Sequence, residues 1–526
     1  MVFQIVTPLS IRLGVAGAGT MGSGIALAAL LADIPVSLYD LSPGMLDQSK
    51  GYIEHHLSRK NKIGNLSRLE LSDRLENLSG CNIVIEAAPE NLEIKRDLFQ
   101  QLDIICPPPA VLATNTSTLS ITEIAACTSD PQRVVGMHFF NPAPVLPLVE
   151  VVQGAQTAPE VLKTAVEVAE KMGKTPVVAK DLPGFIVNRV ARPFYGEALR
   201  MLGEGTASPT EIDWIVQLGG GFRMGPFQLM DLIGVDVNYA AMVSMYEQTW
   251  GEPRYRPHWI QRQMVQQNKL GRKTGQGFYP YQENKAESRA PQLPTRGGNH
   301  GQVLLAPGSW APVISSWLGQ SGYTIEPEPE QSTQPICAIL PAGKSESLAS
   351  FVARWDYLLA PEVPFIVQAC DVTLSEIATW IGHPQRLVGF DSLFLANGPV
   401  ATLVSGELTS TEICTRVDHF MQSLGNLPVW IKDTPGLVLP RIVAMLTNEA
   451  AFAVMDGVAN QEDVDLAMQL GVSYPQGPLA WGKKIGFEHI LRILDHLFYE
   501  YHEERYRAAP ILRRWVRQSQ IGISGI

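Results

Sequence analysis

The chain has 526 residues, too many for one hydrophobic core, so three or four domains of roughly 100–200 residues are expected. Hydrophobic residues make up 45% and charged residues 18%, which excludes an intrinsically disordered chain, and no apolar run reaches the ~18–20 residues of a membrane-spanning helix. Lys plus Arg number 41 against 52 Asp plus Glu, a net charge of −11 without a dense basic run, which argues against nucleic acid as a partner.

Residues 11–40 read as strand, glycine-rich turn, helix and strand: IRLGVAG, then AGTMGSGIALAALLADIP, then VSLYD. Such a βαβ unit opens a doubly wound sheet. Its turn, GAGTMG, places Gly17, Gly19 and Gly22 in GxGxxG spacing, with Thr20 and Met21 between them. In that spacing the first glycine permits the tight turn, the second lets a diphosphate approach the backbone, and the third lets helix and strand pack closely. Asp40 ends the second strand, 23 residues after Gly17 (40 − 17), where a carboxylate accepts hydrogen bonds from an adenosine ribose. No arginine follows at 41–43 to receive a 2′-phosphate, so NAD rather than NADP is expected. A plain structural turn with a surface Asp is the alternative.

The next segment, HHLSRKNK at 55–62, groups Arg59, Lys60 and Lys62, and reads equally as a phosphate contact or as a solvated basic face. Strand-like runs follow at NIVIEAA (82–88), AVLATNTS (110–117) and VVGMHFF (134–140), and the alternation continues through LPLVEVV and KTPVVAK to about residue 185. Asn115 and Ser117 stand at one strand end, where they could face a nicotinamide or substrate, or form an ordinary loop. His138 stands at another strand end, the edge at which open α/β sheets place ligands. Glu150 interrupts an apolar strand, where a carboxylate is costly unless paired. A histidine held by a buried carboxylate makes a good general base, so the two are read as a pair.

From about residue 184 the pattern becomes helical, through FIVNRVARPFYGEALRMLGEG and TEIDWIVQLGG to GRKTGQGFYPY. Asn188 lies at the start of this stretch, and capping or packing explains it equally well. QENKAESRAPQLPTRGGNHG (282–301) lacks periodicity and reads as a linker. Beyond it the sequence repeats. DPQRVVG matches HPQRLVG at an offset of 253 (389 − 136), and KDLPGFIVNRV matches KDTPGLVLPRI at 252 (432 − 180). In the second copy Asp391 stands for His138, Cys370 for Ser117, about Thr402 for Glu150, and Pro440 for Asn188, so every chemical position is lost while glycine, proline and apolar positions survive. No GxGxxG follows a strand between 300 and 345, and PAGKSES at 341–347 lacks the glycines, so this copy is expected to be an incomplete Rossmann-like remnant. Six scattered cysteines show no zinc-type spacing, and no metal site is expected. The start of the chain carries no evident targeting signal, and a cytoplasmic enzyme is expected.

GAGTMGSGIA, EAAPENLEIKRDLF, TNTSTLSI, GMHFFNPAPVLPLVEVV, DLPGFIVNRV, MGPFQLMDLIGVDV and GRKTGQGFY, in this order over residues 8–281, resemble the 3-hydroxyacyl-CoA dehydrogenases. The two-copy layout is similar to the bacterial 3-hydroxyadipyl-CoA subfamily of phenylacetate breakdown, though the 3-hydroxybutyryl-CoA enzymes share every catalytic block. A 3-hydroxybutyryl-CoA or general fatty-acyl 3-hydroxyacyl-CoA dehydrogenase is the alternative, and a non-catalytic NAD-binding structural protein the remote one. The resemblance implies that His138 is the base and Glu150 its partner, and that Ser117 and Asn188 hydrogen-bond substrate oxygens. It implies NAD contacts from the Gly17–Gly22 turn, Asp40, Glu90, Lys95, Asn141 and Lys273. It further implies CoA contact near Lys60, and Arg189, Arg192 and Arg223 are available for a distal carboxylate. The expected fold is α/β: a Rossmann-type NAD-binding domain (1–183), an all-α domain (184–284), a linker (285–302), a degenerate Rossmann-like segment (303–432) and a second all-α domain without catalysis (433–526). The expected partner is an acyl-CoA thioester, with no nucleic acid and no membrane. The two helical domains are expected to pair as an internal pseudo-dimer, with a homodimer left open.

Overall fold

The computed structural model describes residues 11–282, 285–286, 291–297, 301–328, 335–341, 348–395 and 398–521. They form two compact units, Met1–Val190 with Ala453–Ser473, and Ala191–Phe452 with Tyr474–Ile526.

The first unit is built on strands β1 (Leu13–Ala16), β2 (Val36–Tyr39), β3 (Leu69–Ser72), β4 (Ile83–Glu86), β5 (Val111–Thr114), β6 (Val134–Phe139), β7 (Leu148–Gln153) and β8 (Thr175–Lys180). Their order in the sheet is β3-β2-β1-β4-β5-β6-β7-β8. β1 to β6 run parallel, β7 is antiparallel to β6, and β8 is parallel to β7. The inner strands are covered on both faces, which is why they read as near-continuous apolar runs instead of alternating ones. Connecting them are α1 (Thr20–Leu31), α2 (Pro43–Arg59), α3 (Leu92–Ile105), α4 (Ile121–Ala125) and α5 (Pro159–Lys171), with the short α6 (Val187–Val190) after β8. Leu13, Val15, Ile25, Leu38, Ile85 and Val151 are part of the buried core on which these helices close.

The second unit begins with α7 (Arg192–Glu204), α8 (Pro209–Trp214), α9 (Pro226–Ile233), α10 (Val235–Gln248) and α11 (Trp259–Gln266), followed by the hairpin β9 (Tyr281–Gln282) and β10 (Lys285–Ala286). Of the expected linker, residues 287–290 and 298–300 lie outside the described residues, as do 342–347 of PAGKSES. A second sheet follows, of β11 (Gln302–Leu305), β12 (Thr324–Glu326), β13 (Cys337–Leu340), β14 (Phe365–Gln368), β15 (Leu387–Phe390), β16 (Val400–Ser405) and β17 (Leu427–Lys432), in the order β12-β11-β13-β14-β15-β16-β17. Among the described residues this is the order of the first sheet without an equivalent of β3, down to the antiparallel pairing of β15 with β16. The second sheet is thus a degenerate copy of the first: the glycine motif is gone, and α12 (Ala311–Gly319) still joins β11 to β12 as α1 joins β1 to β2. The motif serves a diphosphate, whereas the crossover needs only apolar strands and a helix to cover them.

The remaining helices are α13 (Leu348–Leu358), α14 (Leu374–Ala378), α15 (Thr411–Ser423), α16 (Leu439–Met455), α17 (Gln461–Val472), α18 (Pro478–Ile485), α19 (Phe487–Tyr501) and α20 (Pro510–Gln520), of which α17 belongs to the first unit. Irregular backbone recurs at the repeat offset. Phe185 and Leu437 both take positive φ (48° and 54°), as do Trp250 and His502 (50° and 49°), each pair 252 residues apart. Non-glycine residues rarely adopt this region, so its recurrence marks retained tertiary restraint. Buried ion pairs recur too: Arg133 with Asp103 and Arg386 with Asp356, both at 2.6 Å.

Candidate active site

In the turn from β1 to α1, Gly17 has φ +116°, and a Cβ there would lie 2.6 Å from the Ala87 carbonyl oxygen. A Cβ on Gly22 would lie 1.8 Å from the carbonyl oxygen of Gly17 itself, so neither position admits a side chain. A Cβ on Gly19 would meet nothing within 4 Å. Gly19 is the N-cap of α1, no side chain caps the first turn holding Thr20 and Met21, and that turn has no acidic residue. Helix N–H groups and an open approach at the middle glycine fit the diphosphate of NAD. Asp40 closes the turn by accepting from the Ala18 N–H at 2.7 Å and the Ser42 N–H at 2.9 Å. Beside it lies a cleft of about 210 Å³ walled by Gly19, Thr20, Ser49, Tyr52, Asn141 and Pro144, among others.

At the end of β4 a fully buried Glu86 pairs with a buried Lys95 at 2.7 Å, and Lys95 also reaches Glu90 at 3.4 Å. Glu90 Oε1 accepts from the Ser117 N–H (2.8 Å), the Thr118 N–H (3.0 Å) and the Thr116 hydroxyl (2.7 Å). Burial pushes the Glu90 carboxyl up, but the Lys95 charge and these donors outweigh it and hold the group below the usual range. The network ties Glu90, Lys95 and Ser117 into one loop cluster. Glu86 was missed by sequence reasoning, although the argument that singled out Glu150, an acid in an apolar strand, applies equally to NIVIEAA.

His138 and Glu150 lie directly opposite in the antiparallel pair of β6 and β7. Nδ1 of His138 is 2.6 Å from Oε2 of Glu150, with both side chains buried. The other carboxylate oxygen accepts from the N–H groups of Ile186 (3.0 Å) and Val187 (2.9 Å), where α6 begins. One acid therefore orients the imidazole and anchors the helix that carries Asn188. An ionised carboxylate accepts only, so Nδ1 carries the proton and Nε2 keeps its lone pair. Asn188 donates through Nδ2 to the Ser117 carbonyl at 3.2 Å, which joins α6 to the Glu90 cluster. It sits within the helix and is not its N-cap. Asn115 Oδ1 accepts from the Phe139 N–H at 2.8 Å and so fastens the end of β5 to β6 next to His138.

The remaining expected residues divide. Arg59 and Lys60 are exposed at the end of α2, but Lys62 turns back to Asp33 (2.8 Å) and the Leu31 carbonyl, so the basic group is narrower than HHLSRKNK suggests. Arg189 is bound to Asp456 at 2.6 Å, and Arg192 is buried over the Tyr195 ring, whereas Arg223 is exposed. Lys273 belongs to the second unit, where it pairs with Asp236 at 2.6 Å.

In the second sheet Asp391 is buried and accepts from the N–H groups of Leu393 (2.9 Å) and Phe394 (3.2 Å), with the Cys370 thiol 3.6 Å away. These groups satisfy one another and offer no base to a ligand.

The chain matches the model of the 3-hydroxyacyl-CoA dehydrogenase NAD-binding domain over residues 12–182, and the model of the family's C-terminal domain twice, over 184–281 and 436–524. It is 37% identical to the 3-hydroxyadipyl-CoA dehydrogenase of Escherichia coli K12 over 509 residues, 95% of this chain and 96% of the relative. It is 44% identical to a probable 3-hydroxybutyryl-CoA dehydrogenase of Bacillus subtilis over 278 residues, 51% of this chain and 96% of that one. Among solved structures, a 3-hydroxybutyryl-CoA dehydrogenase from Escherichia coli K12 superimposes with a TM-score of 0.81 at 36% identity, covering 97% of this chain and 99% of the other.

Proposed function

The chain belongs to the 3-hydroxyacyl-CoA dehydrogenase family, and from that premise we propose that it oxidises (3S)-3-hydroxyadipyl-CoA to 3-oxoadipyl-CoA, with 3-hydroxybutyryl-CoA as the second substrate reading. It is an NAD-dependent oxidoreductase, and NAD supplies the hydride acceptor. The observation that carries the reading is the 2.6 Å contact of His138 Nδ1 with Glu150, because it leaves Nε2 as the proton acceptor.

His138 Nε2 takes the proton of the C3 hydroxyl as that carbon gives up hydride. The charge that appears on the imidazole is met by Glu150 without solvent reorganisation, since the carboxylate is already in place. Ser117 and Asn188 hold the oxygens of the thioester ligand and keep C3 near the base, which is the orientation part of the catalysis. The Gly17–Gly22 turn, Asp40, Glu90, Lys95 and Asn141 hold NAD, and Lys60 contacts CoA.

The second copy acts as a built-in partner, and the chain is an internal pseudo-dimer. Two observations support this. Within the first unit, Lys180 N–H donates to Val458 O at 2.9 Å and Arg189 pairs with Asp456; within the second, Lys432 N–H donates to Thr206 O at 3.0 Å and Arg441 pairs with Glu204 at 3.0 Å. Each member is displaced by 252 residues from its counterpart, the reciprocity expected of an isologous interface. The five-segment layout read from the sequence and a cytoplasmic location belong to the same proposal. Among the described residues no helix is long and apolar enough to cross a membrane.

The test is formation of NADH from each CoA thioester at fixed NAD. Higher kcat/KM on 3-hydroxyadipyl-CoA is expected. A preference for 3-hydroxybutyryl-CoA would reverse the substrate reading, and no NADH from either would reject the dehydrogenase.

A further inference from the structure

A cavity of about 540 Å³ in the second unit is walled by Gln368 at the end of β14, by Asp371 and Glu376, and by Arg492, Asp495 and His496 of α19. Some of its charges are already matched. Asp371 accepts from Gln368 at 2.6 Å and pairs with Arg492 at 3.0 Å, and Asp495 pairs with Arg513. Glu376, His496 and the neighbouring Glu500 are different: among the described residues their side chains have no hydrogen-bond or ion-pair partner. His496 is 9% exposed, and its Nε2 is buried without any partner. A buried polar atom left this way needs a reason.

A ring nitrogen of His496 and one oxygen from each glutamate lie within 4.8 Å of one another. His496 and Glu500 are i and i+4 on α19, hence on one face, and Glu376 comes from the first turn of α14. Burial lowers the pKa of His496, against the opposing pull of Glu500, Asp371, Glu376 and Asp433. The set is peculiar to the second copy. At the repeat offsets the first copy has Glu123, Ser244 and Gln248, where Glu123 pairs with Arg96 at 3.0 Å and Gln248 donates to Ser244 at 2.8 Å.

We propose that Glu376, His496 and Glu500 form a binding site for one divalent first-row transition ion, of the zinc or cobalt class, with water in its remaining positions. One imidazole and two carboxylates suit such ions, and side-chain rotation brings ligands already within 4.8 Å onto a shared centre. The copy that lost its catalytic residues would thereby carry a site of its own.

The experiment titrates the full-length chain, stripped with a chelator, with Co²⁺ alone, followed by visible ligand-field absorption and by calorimetry. One ion per chain is expected, with affinity at least about tenfold weaker in His496→Ala and in Glu500→Gln. Glu500→Gln should melt like the parent without metal, while only the parent gains thermal stability when it is added. Absence of saturable binding in the parent chain, or undiminished binding in both variants, overturns the proposal.

Discussion

His138 and Glu150 face each other across two antiparallel strands, and the 2.6 Å between Nδ1 and Oε2 makes the acid part of the base. Because the second oxygen of Glu150 also receives two N–H groups at the start of α6, the same side chain sets both the tautomer of His138 and the place of Asn188.

Replacement at this pair should act on turnover and spare the cofactor. His138→Ala should lower kcat by about 10²–10⁴-fold, the ordinary contribution of a general base. Glu150→Gln should lower it strongly as well, since the amide can present a donor to Nδ1 and favour the wrong tautomer. NAD affinity, measured by fluorescence titration, should change little in both. Parent-like turnover in Glu150→Gln would refute the pairing.

The contact between Arg189 and Asp456 should matter to catalysis from a distance. Asp456→Ala removes the counter-charge of a buried arginine next to Asn188 and should cost about 1–3 kcal/mol of stability, discounted because Asp456 is partly exposed. It should also reduce kcat severalfold, with recovery in Asp456→Glu. Glu204→Ala, at the matching place beside Arg441, should reduce stability but leave kcat unchanged, because α16 carries no catalytic group. Steady-state rates and thermal melts on both variants test this, and equal loss of kcat in the two would contradict it.

Asp391 supplies a pH dependence of stability. Burial pushes its carboxyl up to about 7, above the ordinary aspartate value of the unfolded chain. The folded state binds the proton more tightly, so the stability from this group is complete below about pH 4 and is lost as pH rises through about 7. The parent chain should therefore lose stability relative to Asp391→Asn between pH 5 and pH 8, at most on the order of 1.4 kcal/mol for each pH unit. Chemical denaturation of both at the two pH values checks the sign. A parent that gains on the variant with rising pH would show that Asp391 is ionised in the fold.

Much of the fold was legible because its signals are local. The apolar runs of β1, β4, β5 and β6, the glycine spacing after β1 and the 252–253 repeat all depend on residues near one another in the chain, or on copies of one pattern. Within the site, Glu150 was legible through the cost of an acid in an apolar strand. Glu86 had the same signature, but its partner Lys95 lies on the next helix, and no residue spacing announces that contact.

Sequence alone settled which chemical groups each copy possesses and the order of its strands and helices through the first half, since glycine turns, hydrophobic periodicity and residue identity need no distant partner. Tertiary structure decided that the second sheet keeps its order without the glycine motif, that Arg189 is spent on Asp456, and that Glu376 meets His496 and Glu500 across more than a hundred residues. The physical reason is that burial and charge pairing between remote segments depend on how surfaces fit in space, and that fit is not written in any local pattern.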